Sequence, residues 1–198
     1  MRVLGAILAG GKSTRFGADK AAALVDGRAL LDHVADALAA QTDALLLFGR
    51  AWPGLTGIAD RPAPDLGPLG GLCAALRHAA DAGYGHVLTA GCDVLPVPPA
   101  LRETLSGQGA AIVAGQPLFG WWPAGLADLL DAHLAKGADR SIRGWVAACG
   151  ARVVAIDTPL ANLNTPADLA DYLRLRTAPR QSAGPPPAHP PGPPPSRD

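Results

Sequence analysis

The stretch VLGAILAGGKSTRFG, residues 3–17, places a short apolar run directly before a pair of glycines. The run Val3–Leu8 has the length and the side chains of a buried strand. It is too short for a secretion signal, and no small-residue cleavage site follows a long apolar region. Gly10 and Gly11 let the backbone approach an anion closely and expose its N–H groups. The stretch therefore predicts a strand followed by an anion-binding loop.

Two familiar nucleotide motifs do not fit this loop. A P-loop needs a glycine, four further residues and then Gly-Lys-Ser/Thr, but that first glycine position is Ala6, inside the predicted strand. The dinucleotide fingerprint G-x-G-x-x-G is also absent from the loop, which argues against an NAD oxidoreductase. Lys12, Arg15 and Lys20 nevertheless bring three cations within nine positions. Lysine and arginine suit phosphate oxygens, so the loop predicts a phosphate site of another kind.

Strand-like and helix-like segments alternate from the first strand to about residue 175. The later predicted strands are residues 43–48, 55–59, 86–90, 110–114 and 152–156, and the predicted helices are residues 29–40, 69–80, 125–134 and 167–175. This order is typical of an α/β protein, a three-layer αβα sandwich with a mostly parallel sheet. Ligands of such sheets bind beyond the carboxyl ends of the strands. Gly10-Gly11 and Cys92-Asp93 both follow a predicted strand end, which indicates a site there.

Composition limits the class of protein. The 198 residues carry no formal net charge, are 48% hydrophobic and 17% charged, and suffice for one domain, which we place at residues 1–176. The neutral balance disfavours a nucleic-acid partner, and no apolar run approaches the ~20 residues of a membrane span. Residues 177–198 are rich in proline and poor in large apolar side chains, which predicts a disordered tail. We expect a monomer.

The cysteines and histidines predict no metal or redox centre. No C-x-x-C pair occurs, and three widely separated cysteines are typical of small buried thiols in a reducing compartment, so we expect a cytoplasmic protein. The histidines lack metal-binding spacing and are interpreted as surface or capping groups. They are His33, His78, His86, His133 and His189.

Four segments together resemble one enzyme family. The first, LAGGKSTRFGADK at residues 8–20, is similar to L-A-G-G-x-S-x-R-x-G-x-D-K, the signature loop of the molybdenum cofactor guanylyltransferases. The others follow in family order and are Asp60 with Gly67-Pro68-Leu69-Gly70-Gly71, Cys92-Asp93, and Asn162-Leu163-Asn164-Thr165-Pro166. The resemblance implies a nucleotide-diphospho-sugar transferase-like fold. It also implies transfer of GMP from GTP to the terminal phosphate of molybdopterin, with release of pyrophosphate.

The same resemblance implies roles for individual residues. It assigns catalysis to Arg15, Lys20 and Asp93, with Mg²⁺ held by Asp93. The positions assigned to the nucleotide are Leu8, Ala9, Gly10, Gly11, Lys20, Asp60, Gly67, Pro68 and Asp93. We expect Asp60 to accept hydrogen bonds from guanine or ribose, and Gly67 and Pro68 to shape the base pocket through their backbone. Cofactor-donor and molybdoenzyme-chaperone proteins are further candidate partners.

Several interpretations stay open at this point. Asn162 and Asn164 either contact the metal or a phosphate, or order the turn before a helix that starts with Thr165, Pro166 and Asp168. The aromatic side chains Phe119, Trp121 and Trp122 either stack on the pterin or belong to the core.

The sequence also departs from the family pattern. The proline of the family's C-D-x-P is displaced here to Pro96. Gly49 stands where many members carry an asparagine that binds the nucleotide, so that interaction is either missing here or made by backbone. Three alternatives to a guanylyltransferase remain: a cytidylyltransferase, which usually reads Ala-Ala-Gly at residues 9–11, another nucleotidyltransferase of the fold, and a non-catalytic molybdenum cofactor-binding protein.

Overall fold

The computed structural model describes residues 1–10, 19–64, 66–137 and 139–177. Its strands are β1 (Val3–Leu8), β2 (Leu24–Val25), β3 (Arg28–Ala29), β4 (Ala44–Phe48), β5 (Gly57–Ile58), β6 (His86–Gly91), β7 (Val94–Leu95), β8 (Ala111–Val113), β9 (Gln116–Pro123), β10 (Arg152–Val154) and β11 (Ala161–Asn162). Its helices are α1 (Leu30–Ala39), α2 (Pro68–Asp81), α3 (Leu101–Leu105), α4 (Ala127–Lys136), α5 (Ile142–Cys149) and α6 (Pro166–Thr177). None of these helices is both long and apolar enough to cross a membrane.

A seven-stranded sheet in the order β10-β8-β9-β6-β1-β4-β5 forms the middle layer. Strand β9 runs antiparallel to both of its neighbours, and the other pairings within this sheet are parallel. In the centre, Leu8 at the end of β1 lies opposite Phe48 of β4 and Gly91 of β6. The carboxyl ends of three strands therefore meet at one edge, which is where the sequence predicted the site.

Side chains alternate between the two faces of the sheet, and each face has its own apolar core. Val3 and Ile7 of β1 pack with α1, whereas Leu4 and Leu8 pack with α2. All six residues of β1 are buried, as expected for a central parallel strand covered on both sides. The mostly parallel sheet with helices on both faces confirms the predicted α/β sandwich.

The predicted segments are confirmed as elements, with shifts at their ends. Residues 3–8 match β1, and residues 29–40 and 69–80 match α1 and α2 within one residue at each end. The strand predicted over residues 55–59 shortens to Gly57–Ile58. The predicted tail begins at Thr177, the last residue of α6, and its remainder lies outside the described residues, so that boundary stays a prediction.

Strand β9 is the main element that the sequence did not predict. It follows β8 through the two residues Ala114 and Gly115, and Gly115 has a positive φ of 74°. Its residues Trp121 and Trp122 are each 1% exposed and belong to the cores on opposite faces of the sheet, and Phe119 is fully buried. These aromatic side chains are therefore core residues, the second of the two interpretations offered by the sequence.

The interpretation of His86 as a surface or capping group is wrong. Its side chain is buried at the amino end of β6, and its ring stacks on Trp121 with 4.4 Å between the ring centroids. His86 is the first residue of β6, and its sequence neighbours give no sign of the Trp121 ring that covers it. Burial lowers the pKa of the imidazole from its ordinary value of 6.5.

This burial predicts a pH-dependent stability. Because the pKa is lower in the folded protein, the unfolded chain binds more protons at acidic pH. The stability that neutral His86 contributes is therefore fully present above about pH 6.5 and is lost progressively as the pH falls from there through the lower folded pKa. We expect the difference in melting temperature between the wild type and His86→Gln to shrink between about pH 8 and pH 5.5. His78→Gln on α2 is the control variant. A difference that stays constant with pH would contradict this prediction.

Candidate active site

A cavity of about 180 Å³ opens at the edge where β1, β4 and β6 end. Its lining residues are Leu8, Ala9, Gly10, Lys20, Ala21, Arg50, Pro68, Cys92, Asp93 and Leu118. The structure therefore places most of the described residues that we assigned to the nucleotide around one space. Gly11 and Arg15, which we also assigned to the site, lie outside the described residues, so their predicted roles stay predictions.

Lys20 is the centre of a polar cluster in this cavity. Its Nζ donates to Asp93 Oδ2 at 2.7 Å and to Asn164 Oδ1 at 3.0 Å. The Lys20 and Asp93 side chains are only 13% and 23% exposed, so water screens their attraction less than at a fully exposed pair. Residues separated by 144 positions thus meet at one point.

Asn164 reaches the cluster because its segment is tied to the residues after Asp93. Strand β11 pairs antiparallel with β7, and the Leu163 N–H donates to the Asp93 carbonyl oxygen at 2.8 Å. Asn162 pairs with Val94 in this ladder, and its side chain is exposed to solvent. The displaced Pro96 follows β7 directly, and Asp93 still faces the cavity.

The start of α6 is a capping box. The Thr165 Oγ1 accepts from the Asp168 N–H at 3.1 Å, and Asp168 Oδ2 accepts from the N–H groups of Thr165 and Asn164 at 2.8 and 3.0 Å. This reciprocal pairing fixes the backbone of Asn164 while its side-chain oxygen stays directed at Lys20. The capping explanation is therefore correct for Thr165 and Asp168, and it does not account for the Asn164 side chain.

Asp60 lies against glycines next to the cavity. A Cβ atom placed on Gly10 would lie 2.9 Å from Asp60 Oδ2, and one on Gly70 would lie 3.1 Å from the same oxygen. Gly49 also approaches, with 3.1 Å between its hypothetical Cβ and Asp60 Oδ1. The lack of side chains at these positions lets a carboxylate and the Gly10 backbone share one corner. Asp60 thus stands beside the loop that we assigned to phosphate.

Gly49 itself departs from the family pattern, and the structure shows how. Its φ is +90°, and its N–H donates to the Ile58 carbonyl oxygen at 3.0 Å. That N–H is therefore engaged in the backbone pairing between β4 and β5. This donor is not available to take over the role that the asparagine of other members has toward the nucleotide.

The segment Gly67-Pro68 begins α2 at the mouth of the cavity. Gly67 is the N-cap with a φ of +60°, and Pro68 takes the first helical position, where its missing N–H costs nothing. Gly70 and Gly71 on the first turn are buried, which lets the helix approach β1 closely. The amino end of a helix favours negative charge, so α2 supports an anion here.

The Cys92 thiol and the small number of possible metal ligands limit the chemistry of the site. Burial raises the pKa of the Cys92 thiol to about 11, so this cavity residue stays neutral near pH 7 and is a poor nucleophile. Among the described residues, no group of three or more His, Cys, Asp or Glu side chains could hold a metal ion. One carboxylate, Asp93, with the amide oxygen of Asn164 still fits Mg²⁺, which protein carboxylates commonly bind together with substrate phosphates.

Sequence reasoning did not identify Arg50 as a site residue. It lies two positions after β4 and lines the cavity. It also bonds through both terminal nitrogens to Asp19, the residue before Lys20. Asp19 belongs to the G-x-D-K segment that the sequence analysis singled out. Nothing in the sequence around Arg50 indicates that Asp19 is its partner.

The chain is similar in sequence to proteins of a known enzyme family. The family model described as the MobA-like NTP transferase domain matches residues 5–153. A molybdenum cofactor guanylyltransferase of Sinorhizobium fredii is 35% identical, over 83% of this chain and 88% of the relative. One of Cereibacter sphaeroides is 39% identical, over 86% of this chain and 95% of the relative.

A solved structure shows the same fold. Molybdopterin-guanine dinucleotide biosynthesis protein A from Archaeoglobus fulgidus superposes with a TM-score of 0.70 at 20% identity, covering 88% of this chain and 98% of that chain. The family model, by contrast, spans every residue that lines the cavity, from Leu8 to Leu118. Both relatives cover more than four fifths of this chain. The chain therefore belongs to the family of molybdenum cofactor guanylyltransferases.

Proposed function

We propose that this protein transfers GMP from GTP to the terminal phosphate of molybdopterin and releases pyrophosphate. The observation that carries the proposal is the cluster of Lys20, Asp93 and Asn164. Lys20 and Asp93 line the cavity together with Gly10, and Asn164 reaches Lys20 from an exposed position. A partly buried cation and a carboxylate at the end of parallel strands, next to a glycine backbone, suit a triphosphate and its metal. The names of the relatives supply the guanylyl group and the cofactor.

The reaction needs little covalent help from the protein. An oxygen of the acceptor phosphate attacks the α-phosphorus of GTP, and the bond from that phosphorus to the bridging oxygen breaks. Both electrons of that bond leave with pyrophosphate, so no protein nucleophile takes part. The Lys20 ammonium and the amino end of α2 stabilise the negative charge of the phosphates. Binding of the two reactants in line would remove much of the entropic cost of the reaction.

We assign Mg²⁺ to Asp93, with Asn164 as the second oxygen donor of the cluster. When bound there with GTP, Mg²⁺ supplies positive charge that neutralises the phosphate oxygens. Lys20 pairs with Asp93 in the protein alone, and it can exchange this partner for phosphate oxygens of the nucleotide. Its side chain is only 13% exposed, and Asp93 and Asn164 hold it at the cavity before a substrate binds.

We assign guanine or ribose recognition to Asp60. Its carboxylate is an acceptor of hydrogen bonds, and the guanine edge offers N–H donors that the adenine edge does not present in the same places. The absence of side chains at positions 10, 49 and 70 leaves room for this carboxylate beside the glycine backbone, close to the cavity. Gly67 and Pro68 form the adjoining wall at the start of α2.

Calorimetric titration of GTP, CTP, ATP and UTP, with and without Mg²⁺, tests this proposal. We expect GTP to bind most tightly, with an affinity that Mg²⁺ raises and that Asp60→Asn reduces about 10-fold or more, since a charged hydrogen bond contributes about 1.5–3 kcal/mol. Preference for CTP would move the protein to the cytidylyl class. Binding of molybdopterin but of no nucleotide would favour a cofactor-binding protein.

The cellular setting is part of the same proposal. The three cysteines are free thiols, which suits the reducing cytoplasm. We expect the enzyme to act there as a monomer that receives cofactor from a donor protein and passes the product to a molybdoenzyme chaperone.

A further inference from the structure

Arg50 and Asp19 form a two-point ion pair at the wall of the cavity. Arg50 Nη1 donates to Asp19 Oδ1 at 2.8 Å, and Arg50 Nη2 donates to Asp19 Oδ2. Side-by-side contact of a guanidinium with a carboxylate fixes orientation as well as distance. The Arg50 side chain is 28% exposed and that of Asp19 is 42% exposed, so the pair lies at the rim rather than in the core.

Asp19 connects this pair to the turn that carries Lys20. Asp19 Oδ1 accepts a second hydrogen bond, from the Ala21 N–H at 3.1 Å, and so caps the short 3-10 turn Lys20–Ala22. The bond from Arg50 lowers the pKa of the Asp19 carboxyl group, which keeps it charged. The orientation of the turn, and with it the start of the Lys20 side chain, therefore depends on where Arg50 holds Asp19.

The Arg50 side chain also contacts Trp52. Its guanidinium carbon lies 5.3 Å from the centre of the Trp52 ring, within the range of a cation–π contact. The Trp52 ring nitrogen donates to Asp32 Oδ1 of α1 at 2.8 Å. A continuous series of contacts thus runs from α1 through Trp52, Arg50 and Asp19 to the Lys20 turn. Asp19 accepts one N–H from each terminal nitrogen of Arg50, and these two bonds set the orientation of the guanidinium.

We propose that Arg50 is a positioning residue, which fixes Asp19 and thereby the turn that presents the Lys20 ammonium to the nucleotide phosphates. This inference rests on the proposed function, because Lys20 must act on a phosphate for its position to matter. A shift of about 1 Å at a reacting group costs roughly 100-fold in rate. We therefore expect loss of the Arg50–Asp19 contact to lower the rate of transfer more than the affinity for the nucleotide.

The steady-state test compares Arg50→Gln, Asp19→Asn and the double variant. We expect each single change to lower kcat about 10–100-fold with a smaller change in KM, and the double variant to be no worse than the poorer single variant. Arg50→Lys should recover only part of the loss, because an ammonium cannot make the two-point contact. Arg28→Gln, which removes an exposed pair with Asp36, is the control.

A direct phosphate contact by Arg50 predicts a different pattern. Asp19→Asn would then release Arg50 and leave GTP affinity unchanged or tighter, whereas Arg50→Gln would weaken it. That divergence between the two single variants, measured by calorimetry, would overturn the positioning role. Equal kcat values in the wild type and Arg50→Gln would overturn it as well.

Hydrogen–deuterium exchange without nucleotide provides a readout that does not depend on turnover. We expect Arg50→Gln and Asp19→Asn to speed exchange at the Ala21 amide several-fold, and Arg28→Gln to leave it unchanged. Unchanged exchange in both test variants would contradict the proposed link to the turn. If wild-type protein binds no GTP, the proposed function fails, and the exchange result still decides whether Arg50 holds the turn.

Discussion

Replacing Asp93 with alanine is expected to reduce GMP transfer by at least about 10³-fold, equivalent to about 4 kcal/mol in the activation barrier. Asp93 is the carboxylate to which we assign Mg²⁺, and its Oδ2 lies 2.7 Å from Lys20 Nζ. The variant loses the metal ligand, and it also leaves Lys20 without its anionic partner. Steady-state rates of pyrophosphate release measure the loss.

The fold should survive this change. The Asp93 side chain is partly exposed, and the backbone pairing of β7 with β11 does not depend on it. Circular dichroism and the melting temperature check this, and Asp157→Ala, at an exposed carboxylate between β10 and β11, is the control. Asp93→Asn keeps the shape but not the charge, and we expect it to be nearly as inactive. Normal turnover in either Asp93 variant would refute the metal assignment.

Gly49→Ala is the second change with a large expected effect. The φ of +90° disfavours any side chain, which costs about 1–2 kcal/mol. A Cβ atom would also lie 2.6 Å from Gly10 Cα and 2.7 Å from Gly10 N, and such overpacking costs about 1–3 kcal/mol. We expect the melting temperature to fall by about 5–15 °C and GTP affinity to fall with it, because Gly10 must move.

Gly54→Ala is a matched control for this prediction. Gly54 has a similar φ of +79° in the loop between β4 and β5, but a Cβ atom there would meet nothing within 4 Å. Gly54→Ala therefore has a similar unfavourable backbone conformation to that of Gly49→Ala but makes no close contact with Gly10. Equal melting temperatures and equal GTP affinities for the two variants would show that the close approach of Gly49 to Gly10 does not matter.

Much of the architecture could be predicted from periodicity. The buried run Val3–Leu8 and the helical spacing of apolar residues in α1 and α2 depend on local patterns, and these elements match within one residue at each end. Cys92-Asp93 and Gly10 could be placed at one edge because parallel strands end together. The contact of Asn164 with Lys20 could not be predicted, because the sequence left two interpretations of Asn164 open.

Long-range contacts explain what could not be predicted. Trp121 and Trp122 are consecutive residues of β9, and both are buried because the strand is covered on both faces. The segment therefore lacks the alternation of apolar and polar residues that marks a half-exposed strand. His86 is buried by the stacking of Trp121, which lies 35 positions later. Arg50 contacts Asp19, which lies 31 positions earlier, and an isolated arginine after a strand carries no signal of such a partner.

The most direct test of the central claim is a competition reaction with molybdopterin, Mg²⁺ and equal concentrations of GTP, CTP, ATP and UTP, in which mass spectrometry identifies the pterin product. The account predicts a guanine dinucleotide formed in equal amount to pyrophosphate, and no product when Mg²⁺ is removed by a chelator. A cytosine dinucleotide as the main product, or unchanged molybdopterin in the presence of folded protein, would contradict it.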